Sequence, residues 1–234
     1  MTLPLILFWI IIVSLFAVLA AYYCRRSNRP DAVIALYVTL VIFANITASK
    51  IVSFNLGFRE FNAPVAVLIF SVTFLLLDIV NEKFGRKETQ RMIFIALVCQ
   101  IAVSLFSFLV VGAKPATFFN GQGAIETLLG NVPRIVVASL LAFYISENVD
   151  AYIFQWFRKL TNNKHLWLRN VLSGVPAMLL DSAIFITIAF YGGAFAILPL
   201  IVGQTVIKWI VAIIDIPFMY LARAVLGKEI QKTQ

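Results

Sequence analysis

Seven times along the chain an apolar run of about 20 residues or more recurs, and none of these runs alternates at period two. A helix rises about 1.5 Å per residue, so a run of that length crosses a hydrocarbon core about 30 Å thick. Every backbone N–H and C=O in hydrocarbon must be paired within the protein, which admits helices or closed barrels, and barrel strands would alternate. The expected fold is therefore an all-α integral membrane protein, a bundle of about seven transmembrane helices. The expected spans are 3–24, 32–55, 62–82, 90–112, 132–156, 168–191 and 197–222. Composition agrees, because 62% hydrophobic and 13% charged residues leave too little polar surface to coat a soluble fold.

The cations set an expected orientation. Arg25, Arg26 and Arg29; Lys83, Arg86, Lys87 and Arg91; Arg158, Lys159, Lys164 and Arg169; and Arg223, Lys228 and Lys232 fall in alternate connections and at the C-terminus. The opposite connections hold only Arg59, Lys114 and Arg134, while Lys50 and Lys208 fall within expected spans. By the positive-inside rule the N-terminus is expected outside and the C-terminus in the cytoplasm, in a multi-pass protein of the cell membrane. The first span has no Lys or Arg before it and a basic cluster after it, which reads as a retained anchor and not a signal peptide. The net charge of +8 is then a cytoplasmic rim facing the lipid headgroups, and no nucleic-acid partner is expected.

Few reactive side chains are present. Cys24 and Cys99 lie on different spans without metal-ligand spacing, and His165 is the one histidine, placed in a basic loop. No metal, no cofactor and no catalytic residues are expected. The longest connection, 113–131, is expected to be a connector or a cap over the outer face.

What stands out instead is a set of polar residues inside apolar spans, where a charge costs several kcal/mol unless it is paired, hydrated or facing a cavity. They are Asn45, Lys50, Asp78, Glu82, Glu147, Asp150, Asp181, Lys208 and Asp215. Counting residues from the span ends puts Asn45, Asp181 and Lys208 near the bilayer midplane, the depth at which secondary transporters keep their substrate sites. Gln204, Lys208 and Asp215 recur at i, i+4 and i+11, which is one stripe of the last span. Asp181 and Lys208 read either as a pair that fixes helix register or as a substrate contact. Asp78 reads as binding, gating or helix pairing. Glu82, Glu147 and Asp150 are expected near the cytoplasmic end in packing or gate contacts, and Lys50 is expected to snorkel outward.

Taken together, several of these residues form a pattern. It comprises the run Asn45-Ile46-Thr47-Ala48-Ser49-Lys50, the block Asp78-Ile79-Val80-Asn81-Glu82-Lys83-Phe84-Gly85, and Arg134 with Ala138-Ser139. Asp150, Asp181-Ser182 ahead of Phe185 and Ala189-Phe190, and finally Lys208 complete it. This pattern resembles the queuosine precursor transporter family, also called the vitamin uptake transporter family, over residues 33–222. The resemblance implies a six-helix transporter core at 31–223, an extra N-terminal transmembrane helix and basic loop at 1–30, and a cytoplasmic tail at 224–234. It also implies uptake of 7-deazaguanines such as 7-cyano-7-deazaguanine, 7-aminomethyl-7-deazaguanine or queuine, used in making a modified tRNA base.

A guanine-like edge offers N–H donors that Asp181 or Asp78 can accept and a carbonyl that Lys208, Asn45 or Gln204 can donate to. The expected substrate site is thus Asn45, Asp78, Asp181, Gln204 and Lys208, with a proton or a sodium ion as candidate coupling ion and Asp78 and Asp181 as candidate proton carriers. The alternative is the substrate-binding membrane subunit of an ATP-driven vitamin uptake complex. Since the chain has no Walker-type phosphate loop, ATP would then act through partners.

Overall fold

The computed structural model describes residues 3–57, 59–160, 166–193 and 195–227. Of the expected basic rim, Lys164, His165, Lys228 and Lys232 lie outside the described residues, as do the side chains of Arg158, Lys159 and Arg169. In chain order the elements are α1 (Leu3–Ser27), α2 (Asp31–Thr47), β1 (Ile51–Asn55), β2 (Glu60–Pro64), α3 (Ala66–Phe84) and α4 (Arg86–Gly112). A short α5 (Gln122–Leu129) follows, then α6 (Val132–Leu160), α7 (Leu166–Phe190) and α8 (Ile197–Leu226). Five helical stretches are long and apolar enough by themselves to cross a membrane. Of the other two long helices, α2 is apolar but has 17 residues, and α3 carries Asp78, Glu82 and Lys83 in its second half. The protein is an all-α membrane protein to which one β-hairpin is added.

That hairpin corrects the expected second span, which ran to residue 55. Helix α2 stops at Thr47, and β1 pairs antiparallel with β2 from Ile51↔Pro64 to Asn55↔Glu60. Lys50 consequently leaves the span and sits exposed at the hairpin entry, where its carbonyl accepts from the Val65 N–H at 2.9 Å. The turn is local chemistry: Asn55 Oδ1 accepts from the Gly57 N–H at 2.8 Å, and Gly57 takes φ +87°, open to glycine at no steric cost. Phe54, Ala63 and Pro64 point inward and are buried, so the hairpin is packed into one end of the bundle.

At the opposite end, α3 reverses into α4 through a single residue. Gly85 has φ +79° and ψ 178°, a region confined to glycine, and its N–H donates to the Asn81 carbonyl. These two ends, the hairpin side and the Gly85 side, orient everything that follows.

Two apolar clusters hold the bundle. The larger joins α1, α2, α3 and α8 with the hairpin and the first turns of α4, and it includes Trp9, Val13, Ala17 and Cys24 of α1. The N-terminal helix is therefore part of the bundle core, tied to α3 by the Trp9 Nε1–H bond to the Leu68 carbonyl at 2.9 Å. The smaller cluster lies on the hairpin side and joins α6 and α7 to the ends of α2, α3 and α8. It is rich in alanine (Ala44, Ala48, Ala66, Ala138, Ala142 and Ala189), and small side chains let helices in lipid approach closely.

Among the described residues, neither cluster includes side chains from the halves of α6 and α7 nearer the Gly85 side. Arg134 reinforces the hairpin end: its Nε and Nη2 donate to the carbonyls of Ile188 and Tyr191, both at 2.6 Å, capping α7. Replacing it (Arg134→Gln) is expected to cost about 1–2 kcal/mol. A lowered melting temperature in detergent checks this.

Candidate functional site

Four helical stripes face one another where α6 and α7 part from α3 and α8. On α3 the stripe is Phe70/Ser71, Phe74 and Asp78; on α6 it is Phe143, Ser146/Glu147, Asp150 and Phe154. On α7 it is Ser173/Gly174, Ala177/Met178 and Asp181, and on α8 it is Lys208, Val211/Ala212, Asp215 and Met219. The spacing of three and four residues is the helical period, so each helix presents one polar-lined face to a shared space. That space is a cavity of about 810 Å³, within the about 300–1,000 Å³ usual for small-molecule sites. It extends toward the Gly85 side as far as Gln155 and Met219.

Its deep end is closed by an ion pair. Lys208 Nζ bonds Asp181 Oδ2, with the two side chains 19% and 21% exposed, so the pair is sheltered yet touches the cavity. Lys208 lies eleven residues into α8 from the hairpin side and Asp181 nine residues from that end of α7, which puts both at a similar depth. Beyond the pair, toward the hairpin, is a second space of about 60 Å³ lined by Pro64, Ser139, Phe185 and Gln204 among others. Asp181, Lys208, Val67, Phe70, Phe74 and Phe143 border both spaces, so the ion pair, Val67 and three rings form the partition between them. Gln204 is 4% exposed, and its Oε1 accepts no hydrogen bond among the described residues.

The hairpin roofs this arrangement. Glycine is required at 203 because a Cβ there would lie 2.0 Å from the Asn62 carbonyl oxygen, so β2 rests directly on the α8 backbone beside Gln204.

Of the residues expected at the site, Asp78, Asp181 and Lys208 line the large cavity and Gln204 lines the small one. Asn45 lines neither. It is 1% exposed and its Nδ2 donates to Gln100 Oε1 at 2.5 Å, joining α2 to α4. Glu82, expected at a helix end, bonds Arg223 of α8 at 2.8 Å and closes the α3–α8 seam on the Gly85 side. Glu147 and Asp150, expected in packing or gate contacts, lie on the cavity wall, and Asp215 joins them from α8. Ser71, Ser146, Ser173, Phe74 and Phe143 are also on the wall and were not expected there. Their spacing from Asp78, Asp150 and Asp181 on the same helices was the available signal.

A bundle of membrane-spanning helices around a cavity lined by ionisable side chains has the architecture of a multi-pass membrane transport protein. The family described as "Putative vitamin uptake transporter" matches residues 64–222, and the chain belongs to it. It is similar to the "Probable queuosine precursor transporter" of Bacillus subtilis (strain 168), 28% identical over 190 residues that cover 80% of this chain and 83% of that protein. It is also similar to the "Queuosine precursor transporter" of Escherichia coli (strain K12), 25% identical over 149 residues that cover 62% of this chain and 64% of that one. No solved structure matches the chain.

Proposed function

We propose that this protein imports 7-deazaguanines, the free-base precursors of queuosine, through the cavity between α3, α6, α7 and α8. The observation that carries this reading is the Asp181–Lys208 pair at the neck of the cavity. A guanine-like edge presents a carbonyl oxygen next to two N–H donors, and a carboxylate beside an ammonium is the matching set. Asp181 accepts the N–H groups, Lys208 donates to the carbonyl, and Gln204 offers its unpaired oxygen to a further N–H. Phe70, Phe74 and Phe143 supply flat apolar walls for the ring faces. Asp78 stands on the same wall as the second carboxylate, in reach of a substrate or of a coupling proton or sodium ion. Asn45 acts from outside the cavity, holding α2 against α4.

The charge asymmetry supports an orientation in which the Gly85 side is cytoplasmic and the hairpin side faces out. The cavity is then directed inward near the midplane, with the hairpin and the alanine-rich cluster closing the outer path. Residues 31–223 carry the transport core and α1 buttresses it. Uptake requires the α6–α7 pair to swing against α3 and α8. Single cysteines at Arg59→Cys and Lys87→Cys test the orientation in intact cells. A membrane-impermeant maleimide is expected to label the first and spare the second, and the reverse result overturns it.

Binding tests the substrate reading. The purified protein is expected to be stabilised against heat by 7-deazaguanines and not by an unrelated vitamin. Stabilisation by none of the 7-deazaguanines contradicts it.

A further inference from the structure

Acidic side chains outnumber basic ones among the described residues that line the cavity. Lys208 is the one cationic side chain among its described lining residues, and Asp181 already neutralises it. Asp78, Glu147, Asp150 and Asp215 line the same space, and among the described residues none of the four is in an ion pair. At the rim Glu82, one turn from Asp78, holds Arg223. Lys208 and Asp215 are seven residues apart on α8, about 10 Å along the axis. Asp215 is thus set off from the ion pair by the breadth of a bicyclic base and a short substituent.

The four acidic groups are dispersed over three helices: among the described residues no three carboxylates, histidines or cysteines cluster closely enough to hold a metal ion. A diffuse acidic lining suits an organic ammonium, which needs several acceptors at hydrogen-bond range and no fixed coordination shell. A second observation places the other end of the ligand. Gln204, 4% exposed with an unpaired Oε1, faces the small space behind the ion pair, so the acceptor for a ring N–H lies opposite the acidic wall.

We infer that the site selects planar heterocycles carrying a protonated alkylamine, with the ring edge at Asp181, Lys208 and Gln204 and the ammonium among Asp78, Glu147, Asp150 and Asp215. This rests on the transport reading above and narrows it. Two deazapurines that share a ring but differ in charge isolate the effect. The 7-aminomethyl compound is a cation at neutral pH, and the 7-cyano compound is neutral.

Titrated into the purified full-length protein in low salt, the amine is expected to bind about tenfold or more tighter than the nitrile, as charge-assisted hydrogen bonds replace neutral ones. The ratio is expected to fall toward one in Asp215→Asn and to shrink as salt is raised. Equal affinity, or tighter binding of the nitrile, overturns the charge selection and leaves the transport reading standing. Binding of neither compound overturns both, and because the comparison is made on the unsubstituted protein it does not depend on any variant folding.

Discussion

Uptake by the Lys208→Met protein is expected to fall to background while the protein still reaches the membrane. Lys208 neutralises Asp181 at the neck of a cavity that holds four other carboxylates, so its loss leaves a fifth without a cation. Removing one partner of a buried pair costs about 3–5 kcal/mol, and the one-fifth exposure of this pair moderates that figure. In the proposed binding mode the substrate loses a charged donor as well, about 1.5–3 kcal/mol, or about tenfold to a hundredfold in affinity. Asp181→Asn is expected to be as severe, since one of the two accepting oxygens becomes an NH2 donor and the negative charge opposite Lys208 is lost. Fluorescence-detected gel filtration of tagged variants separates loss of fold from loss of transport. A Lys208→Met protein that elutes as a monodisperse peak and transports normally contradicts the assignment of the pair.

The second large effect is expected far from any charge. In Gly203→Ala the added Cβ would sit 2.0 Å from the Asn62 carbonyl oxygen and 2.9 Å from its carbon. That carbonyl cannot turn aside, because Asn62 is held in register opposite Ser53. The hairpin must lift from α8, opening the roof above Gln204. Forced overpacking costs about 1–3 kcal/mol. A melting temperature lower by several degrees is expected, together with loss of uptake. Gly174→Ala is the control: a Cβ there meets nothing within 4 Å, and its stability is expected to stay near that of the unsubstituted protein.

How far the sequence could be read follows from what each feature depends on. Long apolar runs register the helices α1, α4, α6, α7 and α8 directly, since spanning is a property of one segment alone. The hairpin escaped because Ile51, Val52 and Phe54 continue the apolar run of α2, and five residues are too few to establish period two. Asn55, Gly57 and Pro64 were the local signals against a helix. Asp78, Asp181 and Lys208 were legible because an intramembrane charge is costly and depth can be counted. Asn45 was equally visible as a buried amide, but its partner Gln100 lies 55 residues away on another helix, and no property of α2 alone reveals that pairing. Glu147 and Asp150 were placed near a helix end and read as packing or gate contacts. The cavity extends toward that end, so residues near it line the space as fully as deeper ones.

The most direct test of the central claim is transport by the protein alone. The purified chain is reconstituted into liposomes without any ATPase partner, and entry of labelled 7-aminomethyl-7-deazaguanine is followed, with an inward proton or sodium gradient and without. Saturable uptake that Asp181→Asn abolishes is the expected result. No uptake under any gradient, from protein that binds the compound in detergent, would contradict self-sufficient transport and point to a binding subunit driven by a partner.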